Sequence, residues 1–186
     1  MGKMRTAFIS ADICFFLIEK GDFAKILCGD FMKIVVMSDS HSYDDRVREI
    51  IRSNPDADAF LHCGDLESDP RYFPEVFFVK GNNDWGADFP KEAVLQYNGV
   101  GIYMNHSDRL YPDRVSLLVQ KARQNDCRIA IYGHTHRLDD RIIDGIRVLN
   151  PGSLFYNRDH SELGYFVIDI EQDGSYTVTR KKVMEK

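Results

Sequence analysis

The stretch Lys33-Ile34-Val35-Val36-Met37-Ser38-Asp39-Ser40-His41 decides how the rest of the chain is read. Ile34 to Met37 are apolar without interruption, and three of the four are β-branched. A short run of that kind reads as a strand buried on both faces. It gives way abruptly to Asp39 and His41. Residues i and i+2 of an extended chain project to the same side, so the carboxylate and the imidazole are expected to leave the strand end pointing together. Open α/β proteins bind ligands at that edge of the sheet. Such a pair can ligate a divalent metal, although alone it reads more readily as a surface turn. What shifts the balance is that later strands end in the same way.

At 186 residues the chain suits one domain with a sizeable core. Hydrophobic residues make up 44% and charged residues 28%, a globular composition. The net charge of −5 lacks the basic footprint of a nucleic-acid binder, so no nucleic-acid partner is expected. It does not exclude a phosphorylated substrate, because a bound metal reverses the local field. Cys14, Cys28, Cys63 and Cys127 are scattered without CxxC spacing, which points to free thiols in a reducing compartment. No apolar run reaches the length of a membrane-spanning helix. The patch Ile13 to Ile18 is flanked by Asp12 and Glu19 and lacks a clean cleavage site, so it does not read as a signal peptide. The expected location is cytoplasmic, with no membrane partner, and a homo-oligomer is left open.

Residues 1–31 show no clear period and precede the first core strand. They read as an N-terminal extension of uncertain role, or as an element packed on the outside, ahead of a single domain over 32–186. Tyr43 to Ser53 places Val47, Ile50 and Ile51 at helical spacing, and Asn54-Pro55 ends that helix. Ala57 to Cys63 reads as a strand closing in Gly64-Asp65, and Val76 to Val79 as another closing in Gly81-Asn82-Asn83-Asp84. Asn98-Gly99 between two apolar runs is a strong hairpin signal, and the second arm runs into Asn105-His106. An amphipathic helix over 112–125 leads to the strand Arg128 to Tyr132, which closes in Gly133-His134-Thr135-His136. Asp144-Gly145 and Asp173-Gly174 mark two further hairpins. Strand–helix alternation followed by hairpins gives an α/β domain with mixed sheets.

Five strand ends therefore carry polar residues: Asp39/His41, Asp65, Asn82, His106 and His134/His136. Oxygen ligands mixed with imidazole suit Mn²⁺, Fe, Zn²⁺ or Ni²⁺ better than Ca²⁺ or Mg²⁺. Two such ions would need one carboxylate to bridge them, an arrangement suited to phosphoester hydrolysis.

This ordered set resembles the calcineurin-like metallophosphoesterases. The compact length is similar to that of the small YfcE-type phosphodiesterases, to which the retromer subunit Vps29 is related. The resemblance implies a four-layer α/β/β/α sandwich of two mixed sheets flanked by helices. It implies two divalent ions, Mn²⁺ first among them, with a small phosphoester as substrate and a bridging water or hydroxide as nucleophile. Carried over by motif, Asp39, His41 and His136 hold one ion, Asn82, His106 and His134 hold the other, and Asp65 bridges. Asp65, Asn82, Asn83 and Asp84 form the catalytic candidates, although Asp84 also reads as a structural hydrogen-bonder under the loop. Two positions depart from the family pattern. Asn83 stands where many members have a histidine, which the smaller YfcE-type members often lack too. Asp108 stands where the second histidine of His-Gly-His is common, and a carboxylate there repels phosphate unless it is paired, protonated or turned away. The rival reading is a non-catalytic scaffold in the manner of Vps29, but all seven ligand positions keep competent ligands. A nuclease lacks support in the acidic balance.

Other polar residues have plainer readings. His62 reads as a hydrogen-bonded core histidine, Cys63 as an inert thiol and His160 as a surface residue that could reach substrate with Arg158. Asn150 to Ser153 reads as a turn near the metals, Trp85 and Phe89 as an apolar wall or core, and the pairs Asp44-Asp45 and Asp139-Asp140 as solvated turns.

Overall fold

A computed structural model of the chain describes residues 29–183 and, for the backbone alone, residues 7–8, 13–18 and 22–27. The buried run that opens the domain is strand β4 (Phe31–Met37), preceded by β1 (Ala7–Phe8), β2 (Ile13–Ile18) and β3 (Asp22–Leu27). Helix α1 (Asp44–Ser53) follows, then β5 (Ala59–His62), β6 (Val76–Phe78), β7 (Glu92–Tyr97) and β8 (Val100–Asn105). Helix α2 (Arg114–Gln124) leads to β9 (Ile129–Tyr132), β10 (Leu138–Ile143), β11 (Ile146–Pro151), β12 (Gly164–Glu171) and β13 (Tyr176–Lys182). The three hairpins marked by Asn98-Gly99, Asp144-Gly145 and Asp173-Gly174 are β7–β8, β10–β11 and β12–β13.

These strands form two mixed sheets, one ordered β13-β12-β4-β5-β6 and the other β1-β2-β3-β7-β8-β9-β11-β10. Alternation along β4 explains how the layers stack. Ile34 and Val36 face the second sheet, where they join Leu95, Ile102, Ile129 and Ile131 in the central core. Val35 and Met37 face the other way, against Val47 and Ile50 of α1. Along β9, Ala130 and Tyr132 meet Leu118, Val119 and Ala122 of α2. The order is α1, sheet, sheet, α2, the expected four-layer sandwich. Burial of these side chains on both faces of β4 and β9 contributes roughly 1.5–3 kcal/mol for each large apolar residue.

Strands β4, β5 and β6 are mutually parallel, as are β8, β9 and β11. Parallel pairing collects the C-terminal ends of each set at one edge, which is where the polar residues follow. The backbone of β1 to β3 continues the second sheet, with β3 parallel to β7 from Ala24↔Val94 to Leu27↔Tyr97. These strands lengthen the sheet at the β7 edge; we propose that the extension is accessory to the domain from residue 32 onward.

Two expectations are corrected. Asp44 and Asp45 are not a solvated turn but the first turn of α1, where carboxylates suit the positive end of the helix dipole. Asp139 and Asp140 lie in β10: Asp139 accepts from the Tyr132 hydroxyl at 2.7 Å, and Asp140 pairs with Arg147 at 2.8 Å. Cys63 and Cys127 are buried free thiols, while the side chains of Cys14 and Cys28 lie outside the described residues. Among the described residues no helix is long and apolar enough to cross a membrane.

Candidate metal centre

Strand alternation does not aim Asp39 and His41. Strand β4 stops at Met37, and Asp39 and His41 adopt left-handed backbone with φ of 52° and 45°. Asp65, His134 and His136 do the same, at 57°, 70° and 52°. Non-glycine residues in this region are uncommon and cost of order 1–3 kcal/mol each. The surrounding hydrogen bonds hold them there. Asp39 N–H donates to the Gly64 carbonyl at 3.0 Å and His41 N–H to the Asp65 carbonyl at 3.0 Å, stitching the β4 and β5 loops together. His134 N–H donates to both Asp39 carboxylate oxygens, at 3.1 and 3.0 Å, bringing in the β9 loop. The expected partners therefore converge, but through three interlocked left-handed turns and not through strand pleating.

The centre has two halves. In the first, His136 Nε2 lies 3.2 Å from Asp39 Oδ1 and 3.0 Å from His41 Nε2. His41 Nδ1 is 2.6 Å from Glu67 Oε1, and His136 Nδ1 is 3.1 Å from the Tyr156 carbonyl. Both acceptors lack a proton, so each Nδ1 carries one and each Nε2 is turned toward the centre. The two Nε2 atoms lie 3.0 Å apart, close enough for one cation to meet both. In the second half, Asn82 Oδ1 is 2.8 Å from His134 Nδ1 and 3.2 Å from His106 Nε2. His106 Nδ1 donates to the Cys63 carbonyl at 2.7 Å, which again turns Nε2 inward.

Asp65 lies between the halves, with Oδ2 3.9 Å from His41 Nε2 and 3.4 Å from His106 Nε2. Three groups each offer ligand atoms within 4.8 Å of one another: Asp39/His41/His136, Asp39/Asp65/His106 and His41/Asp65/Glu67. Asn82 and His134 lie outside those groups and join through the Asn82 carboxamide. Glu67 was not anticipated; the signal available was a second carboxylate two residues after Asp65, with nothing to show its tie to His41.

Charge makes the case for a cation. Asp39 is 0% exposed and Asp65 is 2% exposed, yet their ion-pair partners among the described residues are imidazoles. Burial pushes the Asp39 carboxyl up, but hydrogen bonds from His136 and Ser38 and the His106 charge hold it below its usual value. Asp65 is likewise opposed by burial and is brought down to about 2, chiefly by His106. Burial pushes His106 down, but its hydrogen bond to Asp65 and the Asp39 charge raise it to about 9. His106 thus carries the balancing proton in the metal-free chain. Two buried carboxylates without a lysine or arginine are costly unless a cation compensates them, and the oxygen-and-imidazole donor set fits a divalent transition metal.

The remaining candidates take supporting places. Asn83 donates to Asp65 through its backbone N–H at 2.8 Å and its side-chain amide at 2.9 Å. Asp84 is buried behind the loop and accepts from the N–H groups of Asp65, Leu66, Glu67 and Gly81 at 2.8 to 3.0 Å. That fixes Asp84 as a positioning residue, not one of the groups facing the centre. Asp108 is paired with Arg109 at 3.5 Å, one of the ways it could avoid repelling phosphate. His62 is fully buried, its ring within 3.1 Å of the Ser40 hydroxyl, and burial lowers it to about 4, so it stays neutral. His160 is exposed and its backbone bonds to Asn157, while Arg158 N–H supports the His136 carbonyl at 2.7 Å. Ser153 donates to the Asp39 carbonyl at 2.8 Å, and Asn150 donates to the Gly133 carbonyl at 3.1 Å. Trp85 is exposed, whereas Phe89 stacks on Phe78 at 5.0 Å. Beyond Asn82 and Asn83 a cleft of about 820 Å³ opens, bordered by Trp85, Asp108 and Arg109.

Comparison with known proteins converges on the same residues' family. The family model for the calcineurin-like phosphoesterase superfamily domain matches residues 32–173. The probable metallophosphoesterase YsnB of Bacillus subtilis is 28% identical over 149 residues, 77% of this chain and 88% of its own. A phosphodiesterase of Methanocaldococcus jannaschii is 25% identical over 150 residues, 65% of this chain and 83% of its own. Among solved structures, a predicted phosphoesterase of Streptococcus pneumoniae superposes with a TM-score of 0.67 at 26% identity, covering 81% of this chain and 98% of that one. Vacuolar protein sorting 29 of Cryptosporidium parvum shares the fold at a TM-score of 0.65 and 20% identity, over 82% of this chain and 98% of its own.

Proposed function

Because the chain belongs to the calcineurin-like phosphoesterase superfamily, we propose that it is a phosphodiesterase of the small YfcE type with a dinuclear centre. Asp39, His41 and His136 would hold one divalent ion, Asn82, His106 and His134 the other, and Asp65 both. The observation that carries this reading is the pair of buried carboxylates, Asp39 and Asp65, whose ion-pair partners among the described residues are imidazoles. Manganese is our first choice of metal, in a cytoplasmic setting. When bound, such ions polarise a phosphoryl group and lower the pKa of a water that then serves as nucleophile.

The chain's own residues define what else happens. Glu67, Tyr156 and Cys63 orient the three Nε2 ligands, the kind of outer support that raises ligand basicity and fixes ring orientation. Asp84 holds the loop that carries Asn82 and Asn83. The Asn83 amide is committed to Asp65 and has no titratable proton to give a leaving group. Asp108 is paired with Arg109, and His160 is an exposed loop residue. Catalysis should therefore depend steeply on the leaving group, since a positioned acid is worth roughly 100- to 10,000-fold.

The test is the rate of the manganese-loaded protein against a series of phosphodiesters of graded leaving-group pKa. Esters of acidic phenols should be cleaved readily and simple alkyl esters slowly. A flat dependence, with chemistry rate-limiting, would reveal an acid not identified above. No hydrolysis of any ester by a chain carrying both ions would favour a scaffold of the Vps29 kind, the fold it shares.

A further inference from the structure

The first half of the centre is bordered by exposed aromatic rings that the proposed chemistry leaves unused. Phe155 is 45% exposed and meets the His41 ring edge-on at 5.7 Å between centroids. Tyr43, 43% exposed, lies 5.2 Å from Phe155, and the Arg46 guanidinium covers its ring at 4.4 Å. These rings stand beside a candidate metal ligand, outside the core clusters of the described residues.

This wall is built into the frame of the centre. The Phe155 and Tyr156 N–H groups donate to the Ser153 hydroxyl at 2.9 and 3.2 Å, and that hydroxyl donates to the Asp39 carbonyl. The Tyr156 carbonyl holds His136, and Arg46 donates to the Leu154 and Phe155 carbonyls. The position of the Phe155 ring relative to His41 and His136 is thereby set by the same bonds that set the ligands. The opposite side of the centre, around Asn82 and Asn83, is a cleft that Lys80, Lys91, Asp108 and Arg109 line together with Trp85 and Leu110.

Resting on the phosphodiesterase reading, we propose that Phe155 and Tyr43 are specificity-determining residues that stack against a planar aromatic ester group of the substrate. The phosphoryl group would lie at the centre, one ester arm against this wall and the other toward the cleft on the opposite side. The wall favours a diester with an aryl or heteroaromatic arm on the side of the first half. Stacking prefers flat, polarisable rings over saturated ones, and it acts on binding independently of leaving-group chemistry.

Phosphonates separate the two effects, because their P–C bond is not a phosphoester. Binding of phenylphosphonate and methylphosphonate to the manganese-loaded full chain should differ by about tenfold in favour of the phenyl compound, the size of one stacking contact. Phe155→Ala should collapse that ratio toward one with the bound manganese unchanged, and Tyr43→Ala should reduce it by a smaller factor. Equal affinity of the wild-type chain for both probes overturns the proposal, as does a ratio that survives both substitutions. Failure of the manganese-loaded chain to bind methylphosphonate would overturn the phosphoesterase reading itself, and the wall with it.

Discussion

The two halves of the centre are built differently. Around Asp39, His41 and His136 each ligand is buried or nearly so, and each imidazole is pinned from outside by Glu67 or the Tyr156 carbonyl. Around Asn82, His106 and His134, among the described residues, only His106 has such an outer anchor. Asn82 is exposed, and its carboxamide and the His134 ring lean on each other. On the proposed dinuclear reading, the first half is preorganised for its ion, whereas the second would gain much of its order on binding one. Two sites made of similar ligands should then differ in affinity, because ordering side chains on binding opposes it.

The strongest way to break this picture is at the link between the halves. Asp65→Ala removes the carboxylate that faces both His41 and His106. Diester hydrolysis should fall by about 100- to 1,000-fold, the several kcal/mol expected of metal-assisted charge stabilisation, with the circular dichroism spectrum unchanged. Full activity in that variant would remove Asp65 from the bridging position.

Outer support can be tested in the first half alone. Glu67→Ala frees His41 Nδ1, and loss of such a partner typically costs 10- to 100-fold in metal affinity. Equilibrium dialysis should show the tighter binding event weakened and the looser one little changed. A loss confined to the looser event would reverse the assignment of the halves.

Acidity sharpens the second half. In the metal-free chain His106 is raised from 6.5 to about 9, against burial, by Asp65 and Asp39. Its proton must leave before Nε2 can take an ion, so loading at pH 7 should release a proton from this group. Affinity of the second half should fall by about tenfold per pH unit on acidification below about 9. The fold responds with the opposite sign: the stabilisation His106 gives the metal-free chain is complete below 6.5 and is lost as pH rises through about 9. Calorimetry in buffers of different ionisation enthalpy reads the proton directly, and a pH-independent second event would contradict the assignment.

Much of the site could be read from sequence because its residues follow buried strands, and a run such as Ile34 to Met37 announces both the strand and its end. The manner of convergence could not. The left-handed turns at Asp39, His41, Asp65, His134 and His136 depend on contacts between loops far apart in sequence, such as His134 N–H on Asp39. Glu67 and the Ser153–Tyr156 segment gain their roles from the same long-range packing. Residues before β4 carried no period to read, and the pairing of β3 with β7 joins segments about seventy residues apart in the chain.

The most direct test of the dinuclear account is titration of the chelator-treated chain with Mn²⁺, followed in parallel by heat and by hydrolysis of an aryl phosphodiester. The account predicts two ions per chain in two events of different affinity, with hydrolysis rising only as the second, weaker event fills. Saturation at one ion, or full hydrolysis before the second ion binds, would contradict it.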